Sequence, residues 1–406
     1  MIRENLPEDL KTYFGELDTI SDFSQCEVME RTNYLFFTLT LYKLPDLYKV
    51  LGKDNPIYVY SLTIGKKARK TVNCTDILGG VFKYNDLTKH VTANYPIAFI
   101  NAICCVLFCR WNCFILTTNN KGMFNDGDTA ENFALSLKNI AYNNIQVVRF
   151  IKTLPTTDVD NIYAIGVSLG ALTMIDVYAI EDSYKKVVII LGGTPIDEII
   201  FSSSEGMVKN FYNRMITLYG GIKEAQTKIT EVVTPFDKVV QYADGSGMSV
   251  ITVTSGDTSI PSITQKQLIF TCKPTDIVAI NYSKTLAKIK KLANGHYQSL
   301  VFYPYLIYRS IKFLSKKENK TMNEKLSLFF EWVKLVQRLI MVVLTAGLIY
   351  VMLQANVEMN GMKVEMNRIA TLTERALDIA EVTRLDIMKQ IEEIQRDGLK
   401  LRFRIW

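Results

Sequence analysis

Short apolar runs and helix-length patterns alternate along the middle of the chain. Ile57 to Leu62, Lys70 to Cys74, Ile97 to Asn101 and Phe114 to Thr118 are runs bounded by turn residues, and they predict strands. Ala102 to Asn112 and Thr129 to Leu154 carry longer patterns that predict helices. The run Ile162 to Ile165 enters Gly166-Val-Ser168-Leu-Gly170 and leaves as a helix with Leu172 and Ile175 on one face. Val187 to Leu191 then reads as a fully buried strand, ended by Gly192-Gly193-Thr-Pro195. This alternation predicts an α/β domain, with a mostly parallel central sheet covered by helices on both faces.

The remainder divides by texture. Residues 1–55 are aromatic-rich and weakly patterned, with Tyr34 to Tyr42 a candidate helix or strand and no role assigned. The α/β domain is expected over 56–314, interrupted at about 194–265 by a stretch without strand-helix alternation that reads as a cap insertion. Leu268 to Cys272 is expected to resume the sheet, Ser283 to Leu292 to form a helix, and Leu300 to Leu314 to close the domain. A basic linker over 315–338 leads to Leu339 to Val357, nineteen residues without a charge. As a helix they would span about 28 Å, enough for a bilayer. Lysines and arginines are denser before this segment than after it, so the reading is a single-pass membrane protein whose α/β domain faces the cytoplasm. The tail 358–406 carries an apolar stripe through Ile369, Leu372, Ala376, Ile379, Ile387, Ile391 and Ile394, an amphipathic or coiled-coil helix suited to self-association or to lying on a membrane.

Charge and composition narrow the picture. A net charge of +6, from 47 basic and 41 acidic residues without a basic-aromatic cluster, argues against a nucleic-acid partner. The seven cysteines, four of them between Cys104 and Cys113, match no zinc spacing and no disulfide framework and read as small buried hydrophobes in a reducing setting. The first thirty residues lack the apolar core of a signal peptide. Asn73-Cys-Thr75, Asn281-Tyr-Ser283 and Asn319-Lys-Thr321 fit the glycosylation acceptor pattern, which matters only in a lumen.

Ser168 is the candidate nucleophile. Glycines two residues to either side let strand and helix pass closely, the context of a nucleophile elbow. A serine hydroxyl needs a base and a group to orient that base. The chain has two histidines, and in the order expected after such an elbow only His296 follows the serine; His90 precedes it. Asp276, after the expected strand Leu268 to Cys272, is the candidate acid, with Asp197 as its rival. The backbone N–H of Leu169 is one expected oxyanion donor, and Ala102 or Ile103 supplies the other. No metal or organic cofactor is expected.

With those residues laid out, the chain resembles the α/β-hydrolase superfamily and, within it, the YheT-like branch of membrane-associated esterases and lipases. Gly166-Val-Ser168-Leu-Gly170 is similar to that branch's elbow, Thr118-Asn-Asn120-Lys-Gly122 to its turn after the fourth strand, Thr234-Pro-Phe-Asp237-Lys to a segment of its cap, and Asn294-Gly-His296 to its Gly-Gly-His. The branch's Gly-Leu-Thr-Gly oxyanion loop is absent, and its membrane segment usually precedes the hydrolase domain. The resemblance implies a serine hydrolase of carboxylic esters of lipids, such as acylglycerols or phospholipids. A hydrolase fold retained as a membrane-anchored binding or assembly module, and a thioesterase or peptidase of the same fold, are the alternatives.

Overall fold

A computed structural model describes residues 3–15, 22–51, 56–75, 82–85, 90–93, 102–117, 124, 127–253, 257–280 and 303–315. The chain divides into two compact units, Met1–Ile280 with Ala293–Leu326 and Asn281–Leu292 with Ser327–Trp406, and every described residue belongs to the first. The expected strand Ile97 to Asn101, the helix Ser283 to Leu292, the uncharged segment 339–357 and the tail lie outside the described residues. Among the described residues no helix is long and apolar enough to cross a membrane.

A nine-stranded sheet organises the unit. Its strands are β1 (Glu27–Asn33), β2 (Thr38–Leu44), β3 (Ile57–Thr63), β4 (Arg69–Thr75), β7 (Asn112–Thr117), β8 (Thr157–Val167), β9 (Lys186–Ile190), β10 (Met248–Val253) and β11 (Asp276–Ile280), in the order β1-β2-β3-β7-β4-β8-β9-β10-β11. From β7 to β11 all neighbours are parallel, while β1, β2 and β3 form an antiparallel flank. A separate hairpin pairs β5 (Phe82–Asn85) with β6 (His90–Ala93). The expected mostly parallel α/β sheet is therefore present.

The helices follow from their patterning and caps. After α1 (Glu8–Tyr13), a helical turn at Ala102 to Cys104 runs into a π-helical segment, Cys105–Cys109, where one helix was expected. Helix α2 (Ala130–Thr153) starts where the Thr129 hydroxyl accepts a hydrogen bond from the Asn132 amide, and it stops before Pro155. Helix α3 (Leu169–Ile180) leaves the elbow with all its residues buried. Between β9 and β10 come α4 (Ile196–Ser202), α5 (Gly206–Tyr219) and α6 (Ile222–Val239), then α7 (Ser262–Cys272) and α8 (Tyr303–Leu314).

Three expectations are corrected here. Residues 1–55 are part of the domain: β1 and β2 extend the sheet, and Leu6, Leu10 and Phe14 of the α1 region are core residues. Tyr13 and Phe14 pack edge to face on Phe236 of α6. The stretch 194–265 contains a sheet strand, β10, all six of whose residues are buried. Leu268 to Cys272 is helical, because Thr264, Gln265, Leu268 and Cys272 bury at helical spacing and the Pro261 carbonyl accepts from the amides of Thr264 and Gln265. Tertiary packing at a 3.6-residue period overrides the β propensity of that short run.

Asn73 lies in the middle of β4, fully buried, with its amide donating to Asn144 Oδ1 at 3.2 Å and to Tyr184 Oη at 2.8 Å. It is no glycan acceptor in the folded chain. All seven cysteines are described and none is joined in a disulfide. Burial pushes the Cys104 and Cys272 thiols up to about 12, in keeping with a packing role.

Two carboxyl groups are folded into the layer between α3 and α6. Asp176 is 1% exposed, and neither oxygen has a partner among the described residues; burial, then the charge of Asp237, raise its pKa well above the usual range. Asp237 accepts from the Ile196 amide at 2.8 Å and the Thr194 hydroxyl at 3.1 Å, and burial foremost pushes it up to about 7. A raised carboxyl pKa stabilises the fold below the unfolded value near 4 and loses that contribution as pH rises through the folded value. Thermal melts should therefore show Asp237→Asn gaining on the parent chain as pH rises from about 4 to about 7, and a difference independent of pH would refute the linkage. Phe14→Ala should cost about 3–5 kcal/mol in denaturant titration, whereas a peripheral extension would lose almost nothing.

Candidate active site

The elbow expected from the sequence is formed. Strand β8 ends at Val167, Ser168 takes φ 56° and ψ −117°, and α3 begins at Leu169. A non-glycine residue at positive φ is costly and persists where its surroundings enforce it. The enforcement is visible: the Ser168 amide donates to the Ile190 carbonyl of β9 at 2.9 Å, and the Ser168 carbonyl accepts from Ala171 and Leu172 at 2.8 and 3.0 Å. Gly166 is required by contact. A Cβ there would stand 2.5 Å from the Gly170 carbonyl oxygen and 2.8 Å from Met174 Cβ.

Leu169 is the first residue of α3, so its amide belongs to the group that has no partner one turn back, and it stands directly after Ser168. The second expected donor, Ala102, is fully buried in the helical turn ahead of β7. It lies on the crossover that leaves β4 at Thr75, which pairs with Gly166 in register. Thr75 is anchored by its hydroxyl on Asn144 Oδ1 at 2.5 Å, so the crossover departs from a fixed point level with the elbow.

Asp276 does not come to Ser168. It opens β11, and the register runs Ile165 to Val188 to Ser249 to Asp276 across four strands. That places it three strands from β8 and level with a residue three positions before the serine, about 10 Å down the strands. Its carboxylate accepts from Ser249 Oγ at 2.8 Å and forms an ion pair with Arg309 at 3.3 Å. The expectation that Asp276 sits in a loop after a strand fails because the segment before it is helix α7. Asp197, its rival, lies in α4 and accepts from Thr230 Oγ1 at 2.7 Å.

The residue missed by sequence reasoning is Asp257. It follows β10, whose last residues run past the level of the elbow, two strands or about 10 Å away from β8. Asp257 Oδ1 accepts from the amides of Ser259 and Ile260 at 3.0 and 2.9 Å, and its Oδ2 accepts from Gln265 Nε2 at 3.2 Å. Gln265 is itself buried and locked, accepting from the Val253 amide and donating to the Ile260 carbonyl, both at 2.8 Å. The turn between α4 and α5 clasps the same loop, since Ser203 Oγ and the amides of Ser204 and Glu205 all donate to the Thr258 carbonyl. The signal for it was present: a β-branched run, Val250-Ile-Thr-Val253, followed by Ser-Gly-Asp257 and Pro261.

His296 lies outside the described residues, as do the segments Thr118 to Gly122 and Asn294 to His296; Thr234 to Lys238 forms the end of α6. In chain order His296 follows β11, whose end, Ile280, pairs with Val253 on the elbow's edge of the sheet. His90 opens β6. Among the described residues no group of three or more His, Cys, Asp or Glu side chains is placed to hold a metal ion.

No protein-family model matches the sequence, and no curated protein sequence matches it. Among solved structures, an acetyl xylan esterase from Paenibacillus sp. R4 is 11% identical, with a TM-score of 0.51 over 69% of this chain and 90% of the esterase. Acetyl xylan esterase 1 from Thermoanaerobacterium sp. JW/SL YS485 is 13% identical, with a TM-score of 0.45 over 70% and 89%. A glucuronoyl esterase from Solibacter usitatus is 11% identical, with a TM-score of 0.42 over 69% and 85%. At 11% identity the likeness to the Paenibacillus esterase concerns the fold alone, and with the strand order and the serine turn it gives the chain an α/β-hydrolase-like fold.

Proposed function

We propose that the chain is a serine hydrolase that cleaves carboxylic esters through an acyl-enzyme on Ser168. The observation that carries the reading is the serine held at positive φ on the same sheet edge as a carboxylate, Asp257, whose orientation is fixed by two amides and a buried glutamine. An esterase shares the fold. In this reading His296 takes the Ser168 proton as Oγ attacks the ester carbonyl, and Asp257 orients His296 and stabilises its positive charge. The developing oxyanion is met by the Leu169 amide and by a donor from the crossover that starts after Thr75 and includes Ala102. His296 then returns the proton to the leaving alcohol, and water, activated by the same base, releases the acid.

The finer reading is a membrane-tethered enzyme for amphiphilic acyl esters, acylglycerols or phospholipids. The uncharged run 339–357 and the YheT-like residues at Gly166 to Gly170 and Thr234 to Lys238 support it. A fluorophosphonate probe should label the parent chain and not Ser168→Ala. Asp257→Asn should lower kcat on a nitrophenyl ester by roughly 10⁴-fold, as loss of a triad acid does, while Asp276→Asn should leave kcat within about threefold, a change below 1 kcal/mol. The reverse ranking would return the acid to Asp276. No labelling of a well-folded parent chain would sink the hydrolase reading and favour a binding module.

A further inference from the structure

The β1–β2 hairpin ends in Tyr34-Leu-Phe-Phe37, and this tip is apolar where hairpin chemistry asks for Gly, Asn or Asp. Leu35 is 89% exposed, Phe36 66% and Tyr34 52%. The turn is nevertheless built. The Tyr34 amide donates to the Phe37 carbonyl at 2.8 Å, the Tyr34 and Phe37 rings stack at 5.0 Å, and Thr38 Oγ1 donates to Asn33 Oδ1 at 2.9 Å. Single exposed apolar residues are ordinary; a hydrogen-bonded turn that presents three in succession is not.

The surroundings of the tip are basic. Thr38 pairs with Thr63, the end of β3, so the following turn, with Lys66 and Lys67 exposed, lies at the same end of the sheet about 10 Å away. Lys70, Arg110 and Lys185 continue that end across β4, β7 and β9, against Asp158 and Asp160 at the head of β8. Burial, then the neighbouring Lys185, lower the pKa of Lys70, while Asp158 raises it.

We infer that this end of the sheet docks on an anionic lipid bilayer, with Leu35 and Phe36 entering the interface and Lys66 and Lys67 meeting the headgroups. A protruding apolar turn with exposed lysines to one side of it complements a charged, deformable surface; a protein partner would require a broad, shape-matched patch. The membrane reading of 339–357 points to the same partner from a separate stretch of the chain. Thr38, Thr63, Thr71 and Ile162 are level in the register, so Ser168 stands six positions, about 20 Å, further along β8 towards the opposite edge of the sheet. Docking thus leaves the catalytic edge facing water, and an ester drawn from the bilayer must leave it to be cleaved.

The test uses the full chain carrying Phe36→Trp, mixed with vesicles whose acyl chains are brominated, and reads the emission added to that of the three native tryptophans. With anionic vesicles the added emission should shift to the blue and be quenched. Lys66→Glu with Lys67→Glu should weaken vesicle binding by at least fivefold for each lysine removed. Unquenched emission from the introduced tryptophan in a vesicle-bound chain overturns the inference, as does failure to bind anionic vesicles at all. A dimer that Leu35→Glu with Phe36→Glu dissolves, with unquenched emission, also overturns it and makes the tip a contact between copies. Resistance to alkaline carbonate extraction reports the 339–357 tether separately, so either reading can fail while the other stands.

Discussion

The structure depends on the close crossing of β8 and α3 at the serine turn. With no side chain at Gly166, the last residues of the strand and the first turn of the helix lie against each other, and Ser168 must absorb the change of direction at positive φ. Such a residue persists only inside surroundings that over-determine it. Here the neighbouring strand holds its amide, the helix holds its carbonyl, and every residue of α3 is packed in the core. The central strand, its helix and the neighbouring β9 are thereby committed to one another.

What gathers around that turn arrives by register. In a parallel sheet successive strands end at one edge, so loops after β4, β8, β10 and β11 leave at similar levels although they are far apart in sequence. Asp257 is fixed there because one carboxylate oxygen accepts from two amides and the other from Gln265. The helices between β9 and β10 are joined to the same edge twice, through the Thr258 carbonyl and through Asp237, which holds Thr194 and the start of α4. Keeping Asp176 and Asp237 in a poorly solvated layer disfavours their charged forms, so part of the stability of the packing between α3 and α6 depends on protonation.

The two ends of the sheet differ in chemistry. One carries the strained serine and the oriented carboxylate; the other carries the Tyr34 to Phe37 tip and a row of lysines. Six positions along β8, about 20 Å, separate them, so changes at one end can be made without touching the other.

The elements legible in the sequence were those whose signal is local. The Gly166 to Gly170 turn, β3, β4, β7, β9 and α2 follow from run length, β-branching, caps and glycine spacing, and the structure places them within a few residues of those patterns. The errors share a cause. Leu268 to Cys272 has the composition of a strand, yet β10 and the core bury it at helical spacing, and with that segment misread Asp276 was taken for the end of a strand when it is the beginning of one. The strands β1 and β2 are weakly patterned because an edge hairpin buries little, and only pairing with β3 gives them a place. By itself the sequence determined the serine turn and the class of fold, since a turn that must pass a helix under a strand admits few residues. Which carboxylate stands on the serine's edge was decided by strand register, a relation between residues some ninety positions apart that no local pattern encodes.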